Sequence, residues 1–134
     1  MQTLAAGSCR FLITERSAWD IAPMRASAPI PDASPAEIQQ RLRAGEDLLL
    51  VDVREPEEIS IAALPDALVC PMSRAAEWID RLPKEQPLII FCHHGIRSMQ
   101  VAMALAARGH RNVTNMTGGI DLWSVEVDPV VPRY

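Results

Sequence analysis

Two continuous apolar runs are the strongest constraint on the fold. They are residues 48–53, in which the only polar residue is one aspartate, and residues 87–91. Apolar runs of this length without alternation are typical of strands that are buried on both faces, as in a parallel sheet. Residues 101–106 then carry apolar side chains at helical spacing. Because strand and helix patterns alternate along the chain, we predict an α/β domain with a mainly parallel sheet that helices cover on both faces.

Local start and stop signals complete the predicted order of elements. Ser34, Pro35 and Glu37 match a helix N-terminus with a capping box, and Gly45 marks the end of that helix. Ser73 is the predicted cap of a later helix that runs through Arg81. The predicted strands are residues 48–53, 67–70, 88–91 and 112–116, and the other predicted helical segments are residues 55–59, 99–108 and 118–123.

The chain is expected to form one domain, residues 30–134, after an N-terminal extension, residues 1–29. A length of 134 residues, of which 49% are hydrophobic, suffices for one core. Residues 25–31 are rich in alanine, proline and serine, as a linker would be. Two interpretations of the extension stay open, a disordered segment and a short ordered arm packed on the domain.

Composition argues against several classes of function. A net charge of −4 with scattered basic residues argues against nucleic-acid binding. The cysteines Cys9, Cys70 and Cys92 form no Cys-x-x-Cys pair, which disfavours a disulfide scaffold or a cysteine-rich zinc site and favours a reducing compartment. No run in the sequence reaches the ~20 apolar residues of a membrane span, so we expect a cytoplasmic protein without a membrane partner.

A cysteine marks the point where one predicted strand ends and the next helix begins. Cys92 directly follows the apolar run 87–91 and opens the segment Cys92-His93-His94-Gly95-Ile96-Arg97-Ser98. Backbone N–H groups at such a turn have no intrahelical partner, and the positive end of the helix favours a thiolate. A lone cysteine after a strand is usually an inert buried residue, but the neighbouring Gly95, Arg97 and Ser98 favour a nucleophile in an anion-binding turn.

With these residues in place, the chain resembles rhodanese-like sulfurtransferase domains over residues 30–134. The order and spacing of four segments carry the resemblance, and any one of them alone would be weak. They are residues 50–58, 88–98, 118–124 and 127–134. The resemblance implies a mainly parallel five-stranded sheet, flanked by helices on both faces, whose missing strand lies near residues 28–31.

The resemblance also implies a mechanism. Cys92 attacks the outer sulfur of a donor, carries it as a persulfide and passes it to a nucleophilic acceptor. The donor is a small molecule such as thiosulfate, or a small-molecule or protein persulfide, and the acceptor is a thiol or cyanide. No cofactor is implied. Arg97 adds a positive charge that can receive an anionic donor. The expected substrate-binding residues are His93, His94, Gly95, Ile96, Arg97 and Ser98.

Two other functions compete with sulfur transfer. Related phosphatases and arsenate reductases place the arginine six residues after the cysteine, whereas Arg97 follows Cys92 by five. The shorter loop is the one that the family uses for sulfur. A non-catalytic module that binds a partner protein is the second alternative, but such modules usually lose the cysteine, which this chain retains.

Four residues outside the loop are expected to support it. The resemblance makes Asp52 and Arg54 bracing residues, with Arg54 paired to an acid, and Gly118 and Gly119 a tight turn beside the site. One stretch departs from the family pattern, since residues 62–67 replace a Gly-His-Ile-Pro-Gly-Ala-like sequence.

No metal site is expected at the two histidines of the loop. Adjacent side chains in a tight loop should diverge, and no acidic or cysteine cluster is apparent that would complete a tetrahedral site. His93 and His94 are instead expected to flank the mouth of the site and to shape the access of the acceptor.

Overall fold

The two apolar runs form the centre of a parallel sheet. In the computed structural model, which describes residues 29–134, strand β2 (Leu49–Asp52) pairs in parallel with strand β4 (Leu88–Phe91). Strand β5 (Val113–Met116) lies on the other side of β4, and every strand pair is parallel. The predicted fold class is confirmed. The predicted N-terminal extension, residues 1–29, lies outside the described residues except for its last position.

Two very short strands complete the sheet. Strand β3 (Leu68–Val69) pairs with β2, and strand β1 (Asp32–Ala33) pairs with β5. The order of the five strands is therefore β1-β5-β4-β2-β3. The prediction for residues 28–31 therefore placed β1 too early along the chain. A strand of two residues carries no periodicity that could locate it, and its position follows from its pairing with β5.

The helix predicted over residues 99–108 begins three residues earlier, at Ile96, because residues 96–98 of the loop form its first turn. The other helices begin where the sequence signals predict, with one exception. Helix α1 (Pro35–Arg43) has the predicted capping box, in which Ser34 Oγ accepts from Glu37 N at 3.1 Å and Glu37 Oε1 accepts from Ser34 N at 2.8 Å. The remaining helices are α2 (Pro56–Ile59), α3 (Ala75–Trp78), α4 (Ile96–Ala107) and α5 (Gly119–Glu126). None of the helices within residues 29–134 is long and apolar enough to cross a membrane.

The exception is the helix predicted to start at Ser73. Residues 72–74 form a 3-10 turn, and α3 follows it for only four residues. Ser73 does not cap a helix, since Arg74 is the residue before α3 and neither helical segment has a side-chain cap. The Ser73 hydroxyl instead donates to Glu55 Oε1 at 2.6 Å and its N–H to Glu55 Oε2 at 3.0 Å, so a glutamate 18 residues away orients the side chain.

Helices cover both faces of the sheet, as predicted. One face packs α3 and α4 against Val51, Ile90 and their neighbours, and the other packs α1 and α5 against Leu50, Ile89 and theirs. Alternate residues of each central strand thus enter opposite cores, which requires apolar residues at every position. This burial fixes the carboxyl end of β4, where Cys92 stands.

Helix α5 packs end-on against the turn that follows β4. Ile120 N donates to the carbonyl of Cys92 at 2.9 Å, and Asp121 N donates to that of His93 at 3.1 Å. Gly119 has a φ of +59°, and a Cβ there would lie 2.3 Å from the Cys92 carbonyl oxygen. Only a glycine therefore allows α5 to approach the turn this closely.

We expect Gly119→Ala to lower the free energy of unfolding by about 3 kcal/mol or more, because the added methyl group overlaps backbone atoms and the left-handed conformation is strained. Gly45→Ala is the matched control, since Gly45 also has a positive φ (+91°) but has nothing within 4 Å of the added Cβ. The control should cost only about 1 kcal/mol. Urea-induced unfolding of both variants measures the difference, and equal losses would refute the packing argument.

Candidate active site

Backbone donors converge on the sulfur of Cys92. Gly95 N donates to Sγ at 3.1 Å and Ser98 N at 3.4 Å, and the side chain of Cys92 is buried. Gly95 adopts a φ of +106° as the cap residue of α4, which folds the turn back over the sulfur. Negative charge on Sγ would therefore be stabilised by N–H groups at the start of a helix.

The same turn holds further donors. Within residues 29–134, the N–H groups of His94, Ile96 and Arg97 have no hydrogen-bond acceptor. The carbonyls of Cys92 and His93, by contrast, are occupied by α5. The turn thus offers more donors than acceptors to an incoming group, which is the requirement for binding an anion.

A buried polar chain stands behind the sulfur. Ser98 Oγ lies 3.4 Å from Cys92 Sγ and 2.5 Å from Asn115 Oδ1. Asn115 Nδ2 in turn donates to Asp32 Oδ1 at 2.9 Å and to the Gly95 carbonyl at 3.3 Å. This chain joins β1, β5 and the turn after β4, and it fixes Ser98 beside Cys92.

Asn115 and Asp32 were missed by the sequence analysis. Asn115 could have been recognised from the sequence as a polar residue near the carboxyl end of a predicted strand. Every residue of that strand is buried, and a buried amide needs hydrogen-bond partners. The sequence gives no such indication for Asp32, because Asp32 reaches the site only through the pairing of β1 with β5.

Asp52 and Arg54 form a buried ion pair, as the family resemblance implies. Arg54 Nη2 lies 2.7 Å from Asp52 Oδ2 and Nε lies 2.9 Å from Oδ1, and both side chains are almost fully buried. Arg54 Nη2 also donates to the carbonyl of Ala62 at 2.8 Å, which anchors the segment that departs from the family pattern. Burial alone would lower the pKa of Arg54, but the hydrogen bonds to Asp52 and Tyr134 raise it overall.

Arg97 is not the free cation that the sequence suggests. Its two terminal nitrogens donate to the two carboxylate oxygens of Glu58, each at 2.8 Å. The bond to Arg97 lowers the pKa of Glu58 to about 2, against an opposing effect of burial. The same bond raises the pKa of Arg97. Glu58 lies on α2, 39 residues away along the chain, and the sequence analysis did not assign it to the site.

Tyr134 joins the two ion pairs. Its hydroxyl donates to Glu58 Oε1 at 2.9 Å and accepts from Arg54 Nη1 at 3.0 Å. Its ring stacks on His93 with the ring centres 3.8 Å apart. Burial is the largest of the effects that raise the pKa of Tyr134. The segment 127–134, which the sequence analysis used only as a family signature, thus closes over the loop.

The histidine side chains do not diverge as expected. The rings of His93 and His94 stack with centres 3.9 Å apart, and Asp121 lies nearby, so that ligand atoms of all three residues lie within 4.8 Å of one another. His93 Nε2 is buried and has no partner within residues 29–134. Burial and the neighbouring His94 lower the pKa of His93.

This cluster has the residue types of a metal site, but its carboxylate is already occupied. Arg133 donates to Asp121 Oδ1 at 2.9 Å and to Oδ2 at 3.0 Å, and this pairing lowers the pKa of Asp121. A metal ion would have to displace a guanidinium group. The absence of a metal therefore stays a prediction.

The other predicted site residues occupy distinct places. Ile96 is 75% exposed at the first position of α4, and His94 is exposed at the rim. Gly118 precedes α5 in the left-handed conformation, and Gly119 contacts the loop backbone as described above.

We expect the Glu58–Arg97 pair to stabilise the fold only above acidic pH. The carboxyl group has a pKa of about 2 in the folded protein against 4.5 ordinarily, so the unfolded chain takes up its proton first as the pH falls below 4.5. Wild type should exceed Glu58→Gln in free energy of unfolding by about 1–2 kcal/mol near neutral pH, since the pair is only partly buried.

Urea unfolding at a series of pH values measures this difference, which should shrink steadily as the pH falls from 4.5 towards 2. Glu57→Gln is the control, because Glu57 is exposed on the same helix. A Glu58→Gln difference that is independent of pH would contradict the assignment.

Comparison with known proteins identifies the family. The profile of the Rhodanese-like domain family matches residues 34–126. A sulfurtransferase from Allochromatium vinosum is 39% identical over 94 residues, which cover 70% of this chain and 88% of that protein. A chloroplastic rhodanese-like/PpiC domain-containing protein 12 from Arabidopsis thaliana is 37% identical over 113 residues, covering 79% of this chain. The match spans only 38% of the Arabidopsis protein.

A solved structure agrees with these sequence matches. A rhodanese-like domain protein from Staphylococcus aureus has a TM-score of 0.68 with 26% identity, and the match covers 78% of this chain and 99% of that one. The family profile, the sequence relatives and the solved structure agree on one family. The chain therefore belongs to the family of rhodanese-like domains.

Proposed function

We propose that this protein is a sulfurtransferase that moves a sulfane sulfur from a donor such as thiosulfate to a thiophilic acceptor through a persulfide on Cys92. The observation that carries the proposal is the convergence of Gly95 N and Ser98 N on Sγ at the start of α4. The names of relatives, which are called sulfurtransferases, support the same class of reaction.

The reaction has two half-steps. The Cys92 thiolate attacks the outer sulfur of thiosulfate, a new S–S bond forms on Sγ, and sulfite leaves with the electron pair of the old S–S bond. An acceptor thiolate or cyanide then attacks that outer sulfur, and the Cys92 thiolate is the leaving group. Atoms and charges balance in each half-step, and no cofactor takes part.

The turn suits the intermediate. A persulfide anion extends one bond beyond Sγ and needs donors around the outer sulfur. The N–H groups of His94, Ile96 and Arg97, which have no acceptor within the described residues, supply them. The loop from Cys92 to Arg97 has six residues, one fewer than the phosphatase loop considered above, which favours sulfur as the transferred group.

Cys70 provides an internal contrast. It is buried beside the same core, and burial raises the pKa of its thiol to about 11, so it remains a thiol at neutral pH. No backbone N–H within residues 29–134 donates to it. The two buried cysteines thus differ in their backbone donors, since Gly95 N and Ser98 N donate to the sulfur of Cys92.

We expect incubation of the reduced protein with thiosulfate to add the mass of one sulfur atom, located at Cys92 by peptide mapping. Cys92→Ser should abolish the adduct and the transfer of sulfur to cyanide while the protein stays folded. Cys70→Ser and Cys9→Ser are the matched controls and should retain both. The proposal fails if the folded protein gains no sulfur from any sulfane donor, or if the adduct survives in Cys92→Ser.

A further inference from the structure

Every arginine side chain described above around the loop is held by a carboxylate. In each pair, two guanidinium nitrogens bond to the two oxygens of one carboxylate. The pairs are Arg54–Asp52, Arg97–Glu58 and Arg133–Asp121. The three pairs sum to zero charge, although a count of arginines near Cys92 suggests a cationic site.

We propose that Glu58 is a specificity-determining residue that directs the Cys92 site towards organic persulfides, R–S–SH or R–S–S⁻, and away from the thiosulfate dianion. This inference rests on the proposed sulfurtransferase function and narrows its donor. Arg97 is the loop residue whose charge would otherwise receive the sulfonate end of thiosulfate.

Glu58 is firmly held in place. Oε1 accepts from Arg97 at 2.8 Å and from the Tyr134 hydroxyl at 2.9 Å, while Oε2 accepts from Arg97 at 2.8 Å and from Glu55 N at 3.1 Å. Four hydrogen bonds thus fix the carboxylate. An anion that approached Arg97 would have to share the guanidinium group with this carboxylate and would meet its negative charge at close range.

Two other basic side chains near the loop, His93 and Arg133, do not offer a free positive charge in its place. Burial and the neighbouring His94 lower the pKa of His93, so its ring is neutral at physiological pH. Arg133 lies at the rim but is bound to Asp121. Thiosulfate, with two negative charges, therefore gains little from this site beyond the N–H groups of the turn.

An organic persulfide fits the same surroundings better. Its persulfide group carries at most one negative charge, on or next to the sulfur to be transferred, where the free N–H groups of the turn lie. An organic half without acidic groups, such as benzyl, has no negative charge to place on Arg97. The stacked rings of His93 and Tyr134 and the exposed side chain of Ile96 offer apolar surface to that half.

The transfer itself is balanced for this donor. The Cys92 thiolate attacks the terminal sulfur of R–S–SH, an S–S bond forms on Sγ, and the S–S bond of the donor breaks. R–S⁻ leaves with the electron pair, and the proton stays on the transferred sulfur, which gives Cys92–S–SH. One negative charge enters and one leaves, and no oxidant or reductant is needed.

The test compares wild type, Glu58→Gln and Glu57→Gln with two donors, thiosulfate and benzyl hydropersulfide, by the rate at which Cys92 gains one sulfur. Glutamine keeps an oxygen for Glu55 N and Arg97 but removes the charge. Glu58→Gln should raise kcat/KM for thiosulfate about 5- to 10-fold, mainly through KM, as freeing one partly exposed cation would. The gain should shrink at high ionic strength, and kcat/KM for benzyl hydropersulfide should change less than about twofold.

Glu57→Gln is the matched control, because Glu57 is the preceding residue of α2 and is exposed. It removes the same charge one position away and should leave the ratio of the two donors unchanged. A merely structural role of Glu58 would move both donors in parallel.

Three results would overturn the inference while leaving the proposed function intact. They are a wild-type preference for thiosulfate, an equal gain in Glu57→Gln, and a parallel change for both donors in Glu58→Gln. If folded wild type gains sulfur at Cys92 from neither donor, the proposed function fails and the inference falls with it.

Discussion

The hydrogen bonds from the first turn of α5 to the carbonyls of Cys92 and His93 are the constraint on which the rest of the site depends. A tight turn exposes both carbonyl oxygens and N–H groups, and only the latter stabilise negative charge on sulfur. Helix α5 binds the two carbonyl groups, which leaves the N–H groups of the turn to face the sulfur. Gly95 N and Ser98 N donate to Sγ there. Gly119 makes this possible, because a side chain there would occupy the space of those carbonyls.

The ion pairs around the loop have two opposite effects, since they hold the loop in place but also neutralise its positive charge. The pair of Arg54 with Asp52 and the pair of Arg97 with Glu58, joined by the Tyr134 hydroxyl, tie the end of β2, α2 and the last residues of the chain to the loop. Such ties hold the turn in one geometry. The same carboxylates neutralise the positive charge of the two arginines. Rigidity is thus gained at the expense of attraction for anions, and in the proposed function the N–H groups of the turn are the main anion-binding element.

The fold was largely predictable from the sequence because its signals are local. The uninterrupted run at 88–91 is strand β4, and the Ser34 capping box forms as predicted. The donors around Cys92 follow from a turn between a strand and a helix. Two of the errors arose where a distant residue decided the outcome. Glu55 takes the hydroxyl of Ser73, and Glu58 takes the charge of Arg97. Neither pairing can be read from periodicity or from local spacing, since the partners are 18 and 39 residues apart along the chain.

The central claim is that the turn after β4 is built to hold a second sulfur on Cys92. A crystal structure of the protein after treatment with a sulfane donor tests it most directly. The account predicts one additional sulfur bonded to Sγ, lying within about 3.5 Å of backbone N–H groups of the loop, with the Cys92 and His93 carbonyls still bound to α5. A transferred sulfur that points away from those N–H groups, or a turn that must open and release α5 to accommodate it, would contradict the account.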